Sequence, residues 1–236
     1  MYKRQQVGGP GCGVTCNTSG VTITFGPSFN SQPASSTVCV GGNPTPLSVT
    51  YINGTGTANY QWYSNTVSNN TSGTIIPTAT SSIYNPPTLV PGTTYYYCTI
   101  TFTSGGCNSI TSNVDTITVI ADPVINTQPS QDTLCVGGIL PSPLSVSYTG
   151  GVGIVAYQWF SNTINSNTGG TLIAGATSNT YLPPAFNTLG TFYYYVRITL
   201  SGSGCDTVVS NATPILIIAD PVVSSQPIEK KLQDQR

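Results

Sequence analysis

The sequence predicts an all-β chain built as sandwiches in tandem, on three observations. Short apolar or alternating runs recur between clusters of Gly, Pro, Asn and Ser, the pattern of many short strands. The 14 Tyr, 6 Phe and many Val, Ile and Thr suit half-buried pleated surfaces. One sequence unit occurs twice, and no segment holds a sustained helical period. The 236 residues suffice for about two domains of ~100–150 residues.

The repeat sets the boundaries. Ser31-Gln32-Pro33 and Val38-Cys39-Val40-Gly41-Gly42 return as Thr127-Gln128-Pro129 and Leu134-Cys135-Val136-Gly137-Gly138. Tyr60-Gln61-Trp62-Tyr63-Ser64-Asn65-Thr66 returns as Tyr157-Gln158-Trp159-Phe160-Ser161-Asn162-Thr163. Gly92-Thr93 with Tyr95-Tyr96-Tyr97 returns as Gly190-Thr191 with Tyr193-Tyr194-Tyr195. Gly106-Cys107, Ser112-Asn113 and Ala121-Asp122-Pro123 return as Gly204-Cys205, Ser210-Asn211 and Ala219-Asp220-Pro221. The expected layout is repeat 1 at 31–125 and repeat 2 at 126–223. Residues 6–30 read as the end of a preceding repeat, and 224–236 as the start of a third with a divergent tail. Residues 1–5 read as adapter-derived sequence and are set aside.

Within repeat 1 the runs at 47–51, 59–63, 95–102 and 115–120 are expected strands. Those at 144–148, 156–160, 192–200 and 213–218 are their counterparts. The glycines at 105–106 and 202–204 suit a final hairpin. A unit near 100 residues, with a Trp on an early central strand, is the immunoglobulin-like pattern, and Trp62 and Trp159 are expected in the two cores.

Charge excludes several functions. Only 6% of residues are charged, against about a quarter in ordinary soluble domains. Between Gln6 and Ile228 Arg197 is the sole cation, facing Asp115, Asp122, Asp132, Asp206 and Asp220. No nucleic-acid partner is expected, because phosphate binding needs several cations. No direct membrane insertion is expected, because no apolar run approaches ~20 residues.

The motif series CxGG, YQW-x-SN, GT-x-YYY, GC and SN resembles the Ig-like and PKD-like tandem repeats of large Bacteroidetes cell-surface proteins, adhesin-like and exported by the type IX system. The resemblance covers nearly all of residues 11–227. It implies tandem Ig-like β-sandwiches in an extracellular or cell-surface setting, with neighbouring repeats of the same chain as partners. It also implies a structural stalk or spacer; the alternative is that the repeats themselves bind a surface glycan or protein. Asp-Thr-apolar triplets at Thr116, Thr133 and Thr207 resemble the O-glycosylation motif of that group. Sequons at Asn53 and Asn211 carry no expectation in a bacterial product.

Seven Cys without His favour disulfides in an oxidising compartment over a metal centre. Two cysteines recur in each copy, so the expected bonds are Cys39–Cys107 and Cys135–Cys205; the alternative is buried small apolar residues. Cys98, facing Val196 in the alignment, reads as a buried free thiol, with Cys39–Cys98 the other option. Cys12 aligns with Cys107, so its partner is expected in the preceding repeat, and pairing with Cys16 is expected only as an effect of truncation.

An enzyme is not expected. Without His there is no Ser-His or Cys-His pair, and the only Glu is Glu229. No cofactor is expected either. Asp122 and Asp220 offer one carboxylate per Asp-Pro junction, whereas calcium takes six to eight oxygens, so these read as turns. The polar loops at 64–72 and 161–170 share Ser-Asn-Thr, which fits a turn as well as a binding site.

Overall fold

A computed structural model of the chain describes residues 15–17, 20–22, 25–103 and 109–225. β1 (Thr15–Asn17) and β2 (Gly20–Thr22) pair antiparallel as a ribbon. Repeat 1 then supplies β3 (Ser28–Ser31), β4 (Ser36–Cys39), β5 (Leu47–Ser48), β6 (Thr50–Ile52), β7 (Ala58–Asn65), β8 (Thr74–Ile75), β9 (Ile83–Tyr84), β10 (Gly92–Phe102), β11 (Ile110–Thr111) and β12 (Asp115–Ile120). Repeat 2 supplies β13 (Val124–Thr127), β14 (Asp132–Cys135), β15 (Leu144–Ser145), β16 (Ser147–Thr149), β17 (Ile154–Asn162), β18 (Thr171–Leu172), β19 (Thr180–Tyr181), β20 (Gly190–Ser201), β21 (Val208–Val209) and β22 (Thr213–Ile218).

The topology repeats. One layer orders β4-β12-β10-β7-β8 with β11 on β10, and its counterpart orders β14-β22-β20-β17-β18 with β21 on β20. The edge strands β4 and β14 run parallel to their neighbours β12 and β22. The facing layer is made of the ribbons β3–β6 and β5–β9, repeated as β13–β16 and β15–β19. This is the all-β, tandem Ig-like sandwich. Alternation drives it: β12 buries Asp115, Ile117 and Val119 and turns the residues between them outward.

The expected strand 47–51 is divided at Val49. β5 pairs with β9 and β6 with β3, while Val49 donates to the Ser82 carbonyl at 3.0 Å. One apolar run thus serves two partners in turn. β3, β4, β8 and β9 were not expected, being too short or too polar to show a period.

Trp62 and Trp159 are fully buried. Each indole N–H donates at 2.8 Å, to the carbonyls of Ser81 and Ser178, and the rings lie with centroids 6.0 Å from Tyr84 and 5.8 Å from Tyr181 respectively. Around Trp62 pack Leu47, Val49, Tyr96, Cys98, Ile100 and Ile117.

The chain divides into two compact units that do not follow the repeat boundary. The first takes in the chain to Pro123 together with Gly150–Val155 and Thr199–Asp206. The second takes in Val124–Thr149, Ala156–Ile198 and the chain from Thr207 onward. The first unit therefore contains the end of β20 and the loop that follows it. No helix of the described residues is long and apolar enough to cross a membrane.

Candidate functional site

The one concentration of special chemistry among the described residues lies in the first unit, where β4 ends in the Val40-Gly41-Gly42 turn. Val40 donates to Ile120 O at 3.0 Å, Gly42 to Cys39 O at 2.9 Å and Gly41 to Thr88 O at 2.9 Å. The Thr88 hydroxyl returns a bond to Gly42 O at 2.8 Å. Gly41 takes φ +73°, which a side chain would resist.

Against this turn lies the 202–205 loop of the same unit. Cys39 donates its N–H to Ser203 O at 2.9 Å. A Cβ on Gly42 would meet Ser203 O at 2.5 Å, and one on Gly204 would collide with the Gly42 Cα. Both glycines are there because two backbones touch. The Ser203 hydroxyl donates to Val152 O, and Asp206 donates its N–H to an Asp122 carboxylate oxygen at 3.1 Å.

The contact brings Cys205 onto Cys39, and the two are disulfide-bonded with Cα atoms 4.8 Å apart at a sequence separation of 166. This corrects the expected pairing. Cys39 is not joined to Cys107, and Cys135 is not joined to Cys205; Cys135 keeps a free, half-exposed thiol. Bonding requires Cα atoms within about 4.4–6.8 Å, and residues 199–206 are packed into the first unit beside Cys39. Cys12, Cys107 and the expected hairpin glycines at 105–106 lie outside the described residues, while Cys16 falls in β1 opposite Val21 of β2. Cys98 is free and fully buried beside Trp62 on β10 and β7, and burial pushes its thiol up to about 12.

Asp122 has a carboxylate oxygen within 4.8 Å of both sulfurs. Those sulfurs are tied to each other, so Asp122 is the one anionic donor in the group. Its visible work is to cap Asp206, while Asp220 at the second Asp-Pro junction is exposed.

The 64–72 and 161–170 loops are turn chemistry. Asn65 Oδ1 accepts from Val67 N at 3.2 Å and Asn162 Oδ1 from Thr163 N at 2.8 Å. Asn70 and Asn167 donate to the carbonyls of Ser112 and Ser210, and the Tyr97 and Tyr195 hydroxyls accept from Gly73 and Gly170. The Ser-Gln-Pro and Ser-Asn motifs meet likewise: Gln32 accepts from Asn113 N and Gln128 from Asn211 N. Arg197 stands over the Phe160 ring, 4.8 Å from its centroid. Of the candidate glycosylation threonines, Thr133 and Thr207 are exposed, whereas Thr116 is half-buried in β12 between β4 and β10.

The family described as a domain of unknown function (DUF8696) matches twice, over residues 29–121 and 124–219. No curated protein matches the chain. Among solved structures, the tandem Ig repeats of Dlar are similar at 16% identity and TM-score 0.32, covering 82% of this chain and 98% of that one. The titin I-band fragment I67-I69 is similar at 14% identity and TM-score 0.40, with 86% and 72% covered. Extracellular domains 3-5 of Drosophila OTK are similar at 15% identity and TM-score 0.42, with 85% and 66% covered.

Proposed function

The chain belongs to the DUF8696 family, carried here as two tandem Ig-like copies, and from that premise we propose that it is a non-catalytic spacer whose consecutive repeats are stapled by disulfides. The observation that carries the reading is the Cys39–Cys205 bond, which joins sequence positions from both repeats. A spacer under load needs each repeat to resist extension, and a covalent tie between repeats holds where noncovalent packing would slip.

Other features support the reading. The repeated motif residues form turns and pin loops to neighbouring strands. The largest aromatic side chains fill the cores, where they serve stability rather than ligand contact. A disulfide implies an oxidising compartment, so the proposed setting is extracellular, on a cell surface of the kind the motif resemblance suggests. Glycosylation of Thr133 and Thr207 fits that setting, since both are exposed.

Single-molecule stretching of the chain with and without reductant tests the proposal. Oxidised protein should give a contour gain shortened by the residues enclosed between Cys39 and Cys205, and reduction should restore the full length. Equal gains in both conditions would end the stapled-spacer reading.

A further inference from the structure

We propose that Cys135 is the receiving half of the next disulfide, whose other cysteine is brought by the Gly-Cys loop of a repeat following this one in the same chain. The proposal rests on the stapled-spacer reading and names the partner that the second repeat would take.

Cys135 stands in the same port as Cys39. Cys39 pairs in parallel register with Ile120, and Cys135 with Ile218. Val136 donates to Ile218 O at 3.1 Å, Gly138 to Cys135 O at 3.0 Å and Gly137 to Phe186 O at 2.7 Å, reproducing the three bonds of the first turn. Gly137 holds φ +81°. Since Val136 N bonds toward β22, alternation aims the Cys135 N–H at the open edge, where Cys39 N meets Ser203 O.

The two ports differ in what covers them. Under the 202–205 loop, Val38, Cys39 and Gly42 are buried. Their counterparts Leu134, Cys135 and Gly138 are all part-exposed, and Val136 is 37% exposed. The nearest atoms a Cβ on Gly138 would meet belong to Cys135 and Leu134, with no described residue in the close position that Ser203 O holds at Gly42. Asp122 caps Asp206 of the incoming loop, whereas no described residue bonds the Asp220 carboxylate. The thiol, the N–H edge that no described residue pairs, the apolar surround and the carboxylate together form the imprint of a Gly-Cys loop. The sequence supplies a start for such a repeat, since Ser225-Gln226-Pro227 repeats Ser31-Gln32-Pro33.

The bond forms by thiol–disulfide exchange. The two thiols surrender two electrons and two protons to an exchanging disulfide, whose S–S bond breaks to give two thiols as the new S–S bond forms. By the same logic each repeat's CxGG cysteine pairs with the Gly-Cys cysteine of the repeat after it.

The test extends the full chain after Val223 with an in-phase duplicate of residues 126–223, made in an oxidising host. Non-reduced peptide mapping should join Cys135 to the duplicate's Gly-Cys cysteine, and alkylation of Cys135 should fall at least tenfold relative to the unextended chain. A folded extension, shown by a cooperative melt, that leaves Cys135 alkylatable or joined to Cys205 overturns the proposal. If Cys39–Cys205 is present in that map, only this inference fails; if it is missing, the spacer reading fails with it. A second arm needs no new repeat. A peptide of residues 201–208, activated at its cysteine as a thiopyridyl disulfide, should couple to Cys135 of the unextended chain, releasing pyridine-2-thione. Its Gly204→Ala version should couple at least fivefold more slowly. Equal rates for the two peptides would mean that no port exists.

Discussion

Cys205→Ser and Cys135→Ser should behave very differently, although intra-repeat pairing would make them equivalent. In the structure Cys205 closes a loop of sequence separation 166 through Cys39, while the Cys135 thiol is free. Loop-closure entropy for that length is worth about 5 kcal/mol when both repeats are unfolded in the reference state. Losing Cys205 also exposes the Cys39 thiol, which is fully covered in the native port. Cys205→Ser should therefore lower the unfolding free energy by up to about 5 kcal/mol. Cys135→Ser, at a half-exposed free thiol, should stay within about 0.5 kcal/mol. Urea unfolding followed by tryptophan fluorescence reads both, since Trp62 and Trp159 are fully buried reporters, one in each repeat. Wild type under reductant should match Cys205→Ser. Equal losses for the two variants would refute the reasoning, as would a non-reduced peptide map showing Cys39–Cys107.

Three further outcomes follow from local geometry. Gly204→Ala forces a Cβ onto the Gly42 backbone from a residue at φ +73°, so it should cost roughly 1–3 kcal/mol in urea melts and slow recovery of the Cys39–Cys205 bond on reoxidation. Thr78 holds φ +67° where the second repeat has Gly175 at φ +77°; Thr78→Gly should raise stability by about 1 kcal/mol, and a Tm that falls instead would show the strain argument wrong. Cys98 should resist iodoacetamide at pH 8 until the fold opens, because it is fully buried and its thiol is held near 12, and Cys98→Val should be tolerated within about 1.5 kcal/mol since Val196 fills the matching site.

Much of the fold was legible because it is written in local terms. Period-two alternation over 115–120 and 213–218 marks strands whose alternate residues are buried. The Tyr-Gln-Trp runs could be placed on a central strand because an indole is too large to leave in a polar chain without a core to fill. The short strands β8 and β9 escaped because two residues display no period, and their place is assigned by partners far away in sequence.

The cysteines mark where sequence reasoning stops. The duplication showed which cysteines matter but not their partners, since connectivity depends on which loops are brought together. Retention of one CxGG and one Gly-Cys cysteine per copy fits an intra-repeat bond and a staggered one equally well. The sequence by itself determined the strand-rich sandwich, the repeat and the lack of His chemistry, because composition and periodicity act within a few residues of themselves. Only the tertiary structure decided that Cys205 meets Cys39, 166 positions away, because that contact needs residues 199–206 to pack into the first unit and the glycines Gly42 and Gly204 to let two backbones touch.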